Sequence, residues 1–313
     1  MTKIIKRAAQ ALILLVGITF LSFLLTYISP GDPAEIILGK SNMMVTQEVI
    51  DAKREELGLN EPVLVQYKNW LVDFIRGDMG ISYKNGRPVA EQFGTALPNT
   101  LMLTAVSMLM TIFISTPVGI FCAYRKDSVF DRAVRVITYL FASVPSFFLA
   151  LILMYIFSIK LGVLPVVSSS GPRGIIMPCL VLSLTLSAWY VRQVRSIFLK
   201  ELEKDYVTGL RSRGIREKHI LFSHILKNAF APLATLAGMS FGTMLGGSAV
   251  VESIFSFNGI GKLAVDAISS RDYPVIQAFV VWMAIVFLII NCLVDISYKA
   301  VDPRIRLGAD SNA

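Results

Sequence analysis

The sequence predicts an all-α integral membrane protein with six transmembrane helices. The chain has 313 residues, a mean hydropathy of +0.63 and 17% charged residues, whereas a soluble domain carries about 25%. Long uncharged runs alternate with segments that hold the Lys and Arg residues, which is typical of a chain that crosses a membrane repeatedly. The net charge of +8 therefore does not indicate a nucleic-acid partner.

The first apolar run, Ala8–Ile28, follows three basic residues and contains no charge. As a helix it would extend over roughly 31 Å, enough to cross the hydrocarbon core of a bilayer. A cleaved signal peptide would have a shorter apolar region followed by a small-residue cleavage site. Because this run ends in Ser29-Pro30-Gly31-Asp32-Pro33, we interpret it as an uncleaved first span. The other five predicted spans are residues 99–124, 134–159, 175–191, 229–251 and 275–297.

The predicted organisation has four parts. Residues 1–28 form the N-terminus and first span, and residues 29–98 form an extracytoplasmic subdomain with helices over 47–57 and 62–75. A five-helix core, residues 99–297, contains a cytoplasmic loop at 192–228, and residues 298–313 form a cytoplasmic tail. About 70 residues suffice for a small subdomain on the membrane face, but not for an independent catalytic domain.

The distribution of Lys and Arg predicts the orientation. With the N-terminus inside, the inner segments hold 19 Lys and Arg residues and the two short outer loops hold four. Cytoplasmic loops carry the excess of positive charge, and long translocated segments such as 29–98 do not follow this rule. Both termini and the 192–228 loop are therefore predicted to be cytoplasmic.

The loop from Lys204 to Pro232 is the longest polar interruption late in the chain. Tyr206 and Leu210 lie one turn apart, as do Leu221 and Ile225, so short amphipathic helices are predicted on both sides of Gly214. Glycine at that position can adopt φ > 0 and end the first helix. The alternative is a solvated loop whose positive charge only sets the membrane topology.

This loop resembles the EAA loop of the permease subunits of ABC importers. Thr208-Gly209-Leu210 occupies the place of Glu-Ala-Ala, and His224 and Lys227 also depart from the general motif. The departures match the version found in peptide and nickel importers, R-x-x-G followed by H-x-L-[KR]-N-A. Further resemblance lies in GLNEPVLVQYKNWL, in the stretch from Val250 to Gln277, and in NCLVDISYKAVDPRIR, so it covers essentially the whole chain.

The resemblance implies a type I importer fold in a bacterial or archaeal plasma membrane. It implies a second homologous permease, two ATP-binding subunits and an extracytoplasmic substrate-binding protein as partners, beside the lipid bilayer. It further implies that ATP and Mg²⁺ bind to the partner subunits and that this chain binds no cofactor. The coupling helix of this loop fits a groove on the ATPase in the family, and the matching or adjacent residues are Tyr206, Gly209, Leu210, Arg211, Gly214, His224, Leu226, Lys227 and Asn228.

Other candidate residues lie in or beside the predicted spans, at the pathway or its gates: Pro145, Gly242, Gly246, Glu252, Asn291 and Asp295. Proline kinks a helix and frees a carbonyl, and glycines either allow close helix packing or line a pathway. Glu252 could gate or could contact a docked binding protein. An ionisable residue in a span is a functional candidate, but Asp295 could equally pair with Lys299 at i+4.

The predicted function is that of a pore-forming permease subunit that imports nickel, free or chelated, or di- and oligopeptides by alternating access. The chain has no G-x4-G-K-[ST] motif and no Ser-His-Asp set, so it is not an enzyme by itself. His219 and His224 fit the loop motif better than a metal site, and we predict none. DYPVIQ at 272–277 favours nickel by resemblance alone. The alternative is an ion-coupled secondary transporter, which would require buried acidic or His relays.

Overall fold

A computed structural model describes residues 2–39, 46–168, 171 and 173–301. Within these residues the fold is helical without a β-strand, which confirms the all-α class; Ile81 and Pro88 form an isolated bridge. Most of the predicted tail and the side chain of Lys299, with its proposed pairing to Asp295, lie outside the described part.

The helices follow one another with few long connections. In chain order they are α1 (Thr2–Ile28), α2 (Pro33–Leu38), α3 (Gln47–Glu56), α4 (Val63–Ile75), α5 (Val89–Tyr124), α6 (Val129–Ser143), α7 (Ser146–Met154), α8 (Ile176–Leu202), α9 (Asp205–Ser212), α10 (Glu217–His219), α11 (Leu226–Ile254), α12 (Ile260–Ser270) and α13 (Tyr273–Val301). Tyr155–Lys160 and Ile220–Ile225 are π-helical. The predicted helices at 47–57 and 62–75 are confirmed to within one residue.

Four helical stretches in the described part are long and apolar enough to cross a membrane, and a bent pair would make a fifth. The four are Ala9–Ile28, Val89–Tyr124, Glu217–Ile254 and Tyr273–Ile296, and the pair is Val129–Ser143 with Ser146–Lys160. The predicted span at 175–191 lies in α8, which does not qualify by composition because polar residues interrupt its apolar run. The predicted count of six is therefore not established by length and composition alone.

Two predicted spans have different boundaries from those expected. The second was predicted to begin at Asn99 and instead begins at Val89, whose side chain is buried together with Phe93. The third was predicted as one kinked helix, and instead it breaks by 98° between α6 and α7. Proline disfavours helical backbone in the preceding residue, and Val144 before Pro145 is extended with ψ 121°.

The first compact unit comprises the described residues of Met1–Asn99 and Asn258–Leu288. Its core joins the start of α5 to α12 and α13 through Val89, Phe93, Ala96, Ile260, Ala267, Val275 and Ala278. A second contact in this unit is aromatic, because Tyr67 and Trp70 of α4 pack against Phe20 and Phe23 of α1. The polar segment after α1 is thus held by packing against apolar helices.

The turn between α12 and α13 is fixed by a buried carboxylate. Asp272 is 1% exposed, and it accepts hydrogen bonds from Ser82 Oγ at 2.5 Å, Tyr83 N at 3.0 Å and Lys84 N at 3.1 Å. Burial and the charge of Asp272 raise the pKa of Tyr83 to about 12. This carboxylate therefore joins two segments that are 190 residues apart in sequence.

The residues that follow Asp272 in the DYPVIQ stretch also make structural contacts. The Tyr273 hydroxyl donates to Ser29 Oγ at 3.2 Å, and Gln277 Nε2 donates to Thr26 Oγ1 at 2.7 Å. Three side chains of the stretch that favoured nickel by resemblance are thus engaged in holding the first unit together. The nickel preference inferred from this stretch stays a prediction.

The second compact unit comprises the described residues of Thr100–Phe257 and Ile289–Ala313. Helix α8 packs against α6, α7 and α11 and contributes Val181, Tyr190, Val194 and Phe198 to the core of this unit. A helix covered by protein on several sides does not need an apolar surface all round. This accounts for the serines and threonine that lower the hydropathy of α8.

Helices α5 and α8 meet along a seam of small and polar residues. Thr111 Oγ1 lies 3.5 Å from the carbonyl of Ser183, and two turns further along α5 Gly119 lies against Val191 and Val194 of α8. A Cβ at Gly119 would lie 2.7 Å from Val194 Cβ and 2.9 Å from the Val191 carbonyl. Glycine is therefore required here for the close approach of the two backbones.

We predict that Gly119→Ala destabilises the protein, because the new methyl group would force the two backbones apart. Overpacking of this kind costs about 1–3 kcal/mol, which outweighs the gain in helix propensity. The measurement is thermal unfolding of the purified protein in detergent. Gly94→Ala is the matched control on the same helix, where nothing lies within 4 Å of the added Cβ. Equal melting temperatures for the two variants would contradict the close packing of this seam.

Candidate functional site

The C-terminal end of α8 is tied to the loop that follows it. Glu201 is 7% exposed and accepts hydrogen bonds from Lys204 Nζ at 2.5 Å and from the Tyr206 hydroxyl at 3.1 Å. Burial raises the pKa of Tyr206, and a hydrogen bond from Asn228 partly opposes this effect. Tyr206 thus connects the end of α8 to the beginning of α11, and it brings together two of the predicted site residues.

Helix α9 has one face buried and one face open to solvent. Val207 is fully buried, and Tyr206 and Leu210 pack against the core of the second unit. Gly209 and Arg211 lie on the exposed side. This is the amphipathic pattern predicted for the segment before Gly214, and it presents polar and cationic groups on a helix whose other side is anchored.

The backbone at Gly214 has φ +75°, which confirms the prediction of a left-handed residue that ends the helix. The N–H of Gly214 donates to the Arg211 carbonyl at 2.9 Å, and the N–H of Ile215 donates to the Leu210 carbonyl at 3.2 Å. This pair of hydrogen bonds is the Schellman arrangement, in which a glycine at C′ satisfies the last carbonyls of a helix. The turn is therefore a defined structure.

A bidentate ion pair closes the turn around Gly214. Arg211 Nε lies 2.6 Å from Glu217 Oε1, and its Nη2 donates to Glu217 Oε2 at 3.3 Å. A guanidinium and a carboxylate that meet in this geometry restrict each other's orientation. Arg211 was predicted as a coupling residue because it matches the R-x-x-G motif, and the structure shows that its charge is already engaged within the loop.

The second half of the loop enters α11 through a π-helical segment. Ile220, Leu221 and Ile225 are buried on one side of it, and the rings of His219 and His224 meet edge to face at 5.5 Å. Leu226 is half-buried and packs against the same core, whereas Lys227 and Asn228 are exposed. Among the described residues no group of three or more His, Cys, Asp or Glu could hold a metal ion.

A buried ion pair next to this loop was missed at the sequence level. Asp131, at the start of α6, is fully buried, and Arg195 of α8 donates to its two carboxylate oxygens at 2.6 and 2.7 Å. The backbone N–H of Asp127 donates to it at 3.0 Å, and Arg135 lies 3.5 Å away. Arg195 is 64 residues away in sequence, and the local signals are limited to the Ser128 cap three residues before Asp131 and Arg135 four residues after it.

Glu252 is fully buried at the end of α11. Its carboxylate accepts hydrogen bonds from Thr100 Oγ1 at 2.8 Å and from Ser248 Oγ at 3.1 Å. A direct contact with a docked binding protein, one of the two roles considered for it, is not possible in this conformation. Thr100, at the predicted start of the second span, lies inside α5 and donates to this carboxylate.

The remaining pathway candidates are dispersed along the helices. Asn291 and Asp295 are half-buried one turn apart on α13, near Val294, which contacts α11 at Gly238. Glu252 is fourteen residues beyond Gly238, roughly 21 Å along the helix. Gly242 is half-buried, Gly246 is exposed, and Pro145 lies at the break before α7. The structure therefore does not gather these residues into one site, and their roles remain predictions.

Comparison with known proteins gives the family. Residues 115–307 match the model for the binding-protein-dependent transport system inner membrane component, and residues 1–104 match the model for the N-terminal part of such components. The metal-staphylopine import system permease CntB of Staphylococcus aureus is 38% identical over 98% of both chains. The glutathione transport system permease GsiC of Escherichia coli is 36% identical over 97% of this chain and 98% of its own.

A solved structure supports the fold. The inward-facing MetNI methionine ABC transporter matches 67% of this chain and 96% of its own with a TM-score of 0.57 at 19% identity. The relatives are permease components of transport systems, which confirms that the chain is not an enzyme by itself and overturns the secondary-transporter alternative. The chain belongs to the inner-membrane components of binding-protein-dependent transport systems, the permeases of ABC importers, a membership that implies ATPase and substrate-binding partners.

Proposed function

We propose that this chain forms half of the pathway of an ATP-driven importer, opposite a second homologous permease, with two ATP-binding subunits on its cytoplasmic side. The observation that carries the proposal is the structure of the 204–228 loop. Its inner side is anchored to α8 and α11 through Tyr206 and Val207, and its outer side presents Gly209, Arg213 and Lys218 to solvent. Such a rigid, cationic projection suits a groove on another protein.

The mechanism is alternating access. Closure of the ATPase pair on ATP and Mg²⁺, which this chain itself does not bind, displaces the loop. Because Tyr206 is hydrogen-bonded to both Glu201 and Asn228, a displacement of α9 acts on the end of α8 and the start of α11 together. Packed helices respond by shifting as units between a small number of arrangements. We expect the outward-open state to form when ATP is bound and hydrolysis to reset it.

The proposed topology has six spans, with α8 as the fourth and both termini cytoplasmic. The excess of Lys and Arg on the inner segments supports it. The 27 residues of α8 would extend over about 40 Å, longer than the hydrocarbon core, and this leaves its last turns, including Glu201, on the cytoplasmic side.

The proposed cargo is nickel, free or chelated, or a di- or oligopeptide. One relative is named for a metal complex and another for glutathione, which is a tripeptide, so the two cargo classes occur at similar identity to this chain. Among the described residues no cluster of potential metal ligands could hold a free nickel ion. The substrate-binding protein is therefore expected to select the cargo.

The test of the proposal is purification of this chain together with its co-expressed neighbouring gene products. We expect ATP-binding subunits and a second permease to co-purify, and the associated binding protein to retain either ⁶³Ni or a member of a peptide panel. Absence of an ATPase even after crosslinking at the 204–228 loop would overturn the proposed role of the loop.

We predict that Gly214→Val abolishes transport while the protein still inserts into the membrane. A β-branched residue adopts φ +75° only at high cost, so the turn between α9 and α10 would be lost. Gly214→Asn is the matched control, since asparagine tolerates the left-handed region better than other non-glycine residues. The measurement is substrate uptake by membranes that contain equal amounts of each permease variant. Wild-type uptake by the valine variant would contradict the requirement for this turn.

We predict that Arg211→Glu reduces retention of the ATPase at physiological salt. The substitution places two carboxylates where an exposed ion pair worth about 0.2–1 kcal/mol now closes the turn. The double variant Arg211→Glu with Glu217→Arg restores the pair with opposite polarity, and we expect it to recover most of the retention. Retention as poor in the double variant as in the single one would mean that the Arg211 charge itself contacts the ATPase.

A further inference from the structure

Helix α4 lies against the part of α1 that is inside the membrane. The Tyr67 hydroxyl is 2.9 Å from Thr19 Oγ1 and donates to the Val16 carbonyl at 3.4 Å. Its ring contacts the rings of Phe20 and Phe23 at 5.2 and 5.6 Å. Phe20 and Val16 lie eight and twelve residues before the end of α1 at Ile28, which corresponds to about 12 and 18 Å along the helix.

These distances place α4 at the depth of the hydrocarbon. The apolar run of α1 matches a core roughly 30 Å thick, so a contact about 12–18 Å from its end lies near the middle of that core. The sequence had assigned 62–75 to a subdomain on the membrane face. Contact with Phe20 and Thr19 requires that part of this helix is lower than the membrane surface.

The side chains of α4 divide into three sectors around the helix, as the 100° step between residues requires. Tyr67, Trp70 and Phe74 face α1 and the core of the first unit. Gln66, Asn69 and Asp73 line a cavity of about 1160 Å³ within that unit. The third sector holds Leu64, Lys68, Leu71, Val72 and Ile75.

The third sector is apolar and has no covering element in the described part of the chain. Leu64 is 69% exposed and Ile75 is 76% exposed, and the neighbouring α1 exposes Leu21 and Leu25 to 59% and 71%. Lys68 is compatible with this surface, since its flexible stem can carry the ammonium group towards the headgroups. Both helices of this pair thus expose apolar side chains.

We propose that α4 is an amphipathic membrane helix whose Leu64–Ile75 face contacts the acyl chains of the leaflet that surrounds the C-terminal half of α1. The polar face of the same helix is the membrane-side wall of the water-accessible cavity. Lipid is the occupant that the depth of Tyr67 and the exposed Leu64 and Ile75 side chains indicate. A helix with one apolar and one polar face at an interface has this arrangement.

The test uses spin labels on the assembled transporter in phospholipid nanodiscs, where both membrane faces are accessible. Single cysteines are introduced as Leu64→Cys and Ile75→Cys on the apolar face, with Asn69→Cys and Asp73→Cys as matched controls on the polar face. The exposed Cys292 is first replaced by serine, and Cys122 and Cys179 remain because they are buried. Val72→Cys provides a further position if one apolar-face variant fails to assemble.

Collision rates with O₂, which concentrates in the bilayer, and with a water-soluble nickel chelate report the surroundings of each label. We expect the ratio of the O₂ rate to the chelate rate to be severalfold higher at positions 64 and 75 than at 69 and 73. Equal ratios on the two faces would overturn the proposal, because the apolar face would then be in water. Low rates with both reagents at 64 and 75 would also overturn it, because another protein subunit would then cover that face.

Discussion

A bilayer core offers no hydrogen-bond partners to the backbone, and the architecture of this chain depends on that constraint. Within the described residues the long apolar stretches are helices, and at two of their ends backbone hydrogen bonds satisfy carbonyls of the last turn. At the break before α7, the N–H of Val144 donates to the Phe141 carbonyl. At the end of α11 the N–H groups of Phe255 and Phe257 donate to the Val251 and Glu252 carbonyls.

The same need for partners applies to the polar side chains of α8 in the second unit. A helix packed against α6, α7 and α11 can hold an arginine near its C-terminal end, provided that a partner is near. Arg195 has that partner in Asp131, and six residues later Glu201 accepts hydrogen bonds from Lys204 and Tyr206. The C-terminal end of α8 is thus held on two sides, by the start of α6 and by the loop.

Local signals were sufficient for the helices and for the turn at Gly214, because periodicity, charge and the conformational freedom of glycine act over a few residues. They failed where the decisive partner was distant in sequence. The start of α5 was misplaced because the burial of Val89 depends on residues near Ile260. Asp131 and Asp272 were not recognised as anchors, since their partners lie 64 and about 190 residues away. Asn99, where the second span was predicted to begin, lies inside α5, and its side chain donates to the Asn258 carbonyl at 2.7 Å.

The contacts of the DYPVIQ stretch change the way in which cargo can be inferred for such a chain. Asp272, Tyr273 and Gln277 are hydrogen-bonded to the segment that follows α1 or to α1 itself, so their identity is required by folding whatever the cargo is. The stretch therefore has a role in the architecture of the first unit that does not depend on the cargo.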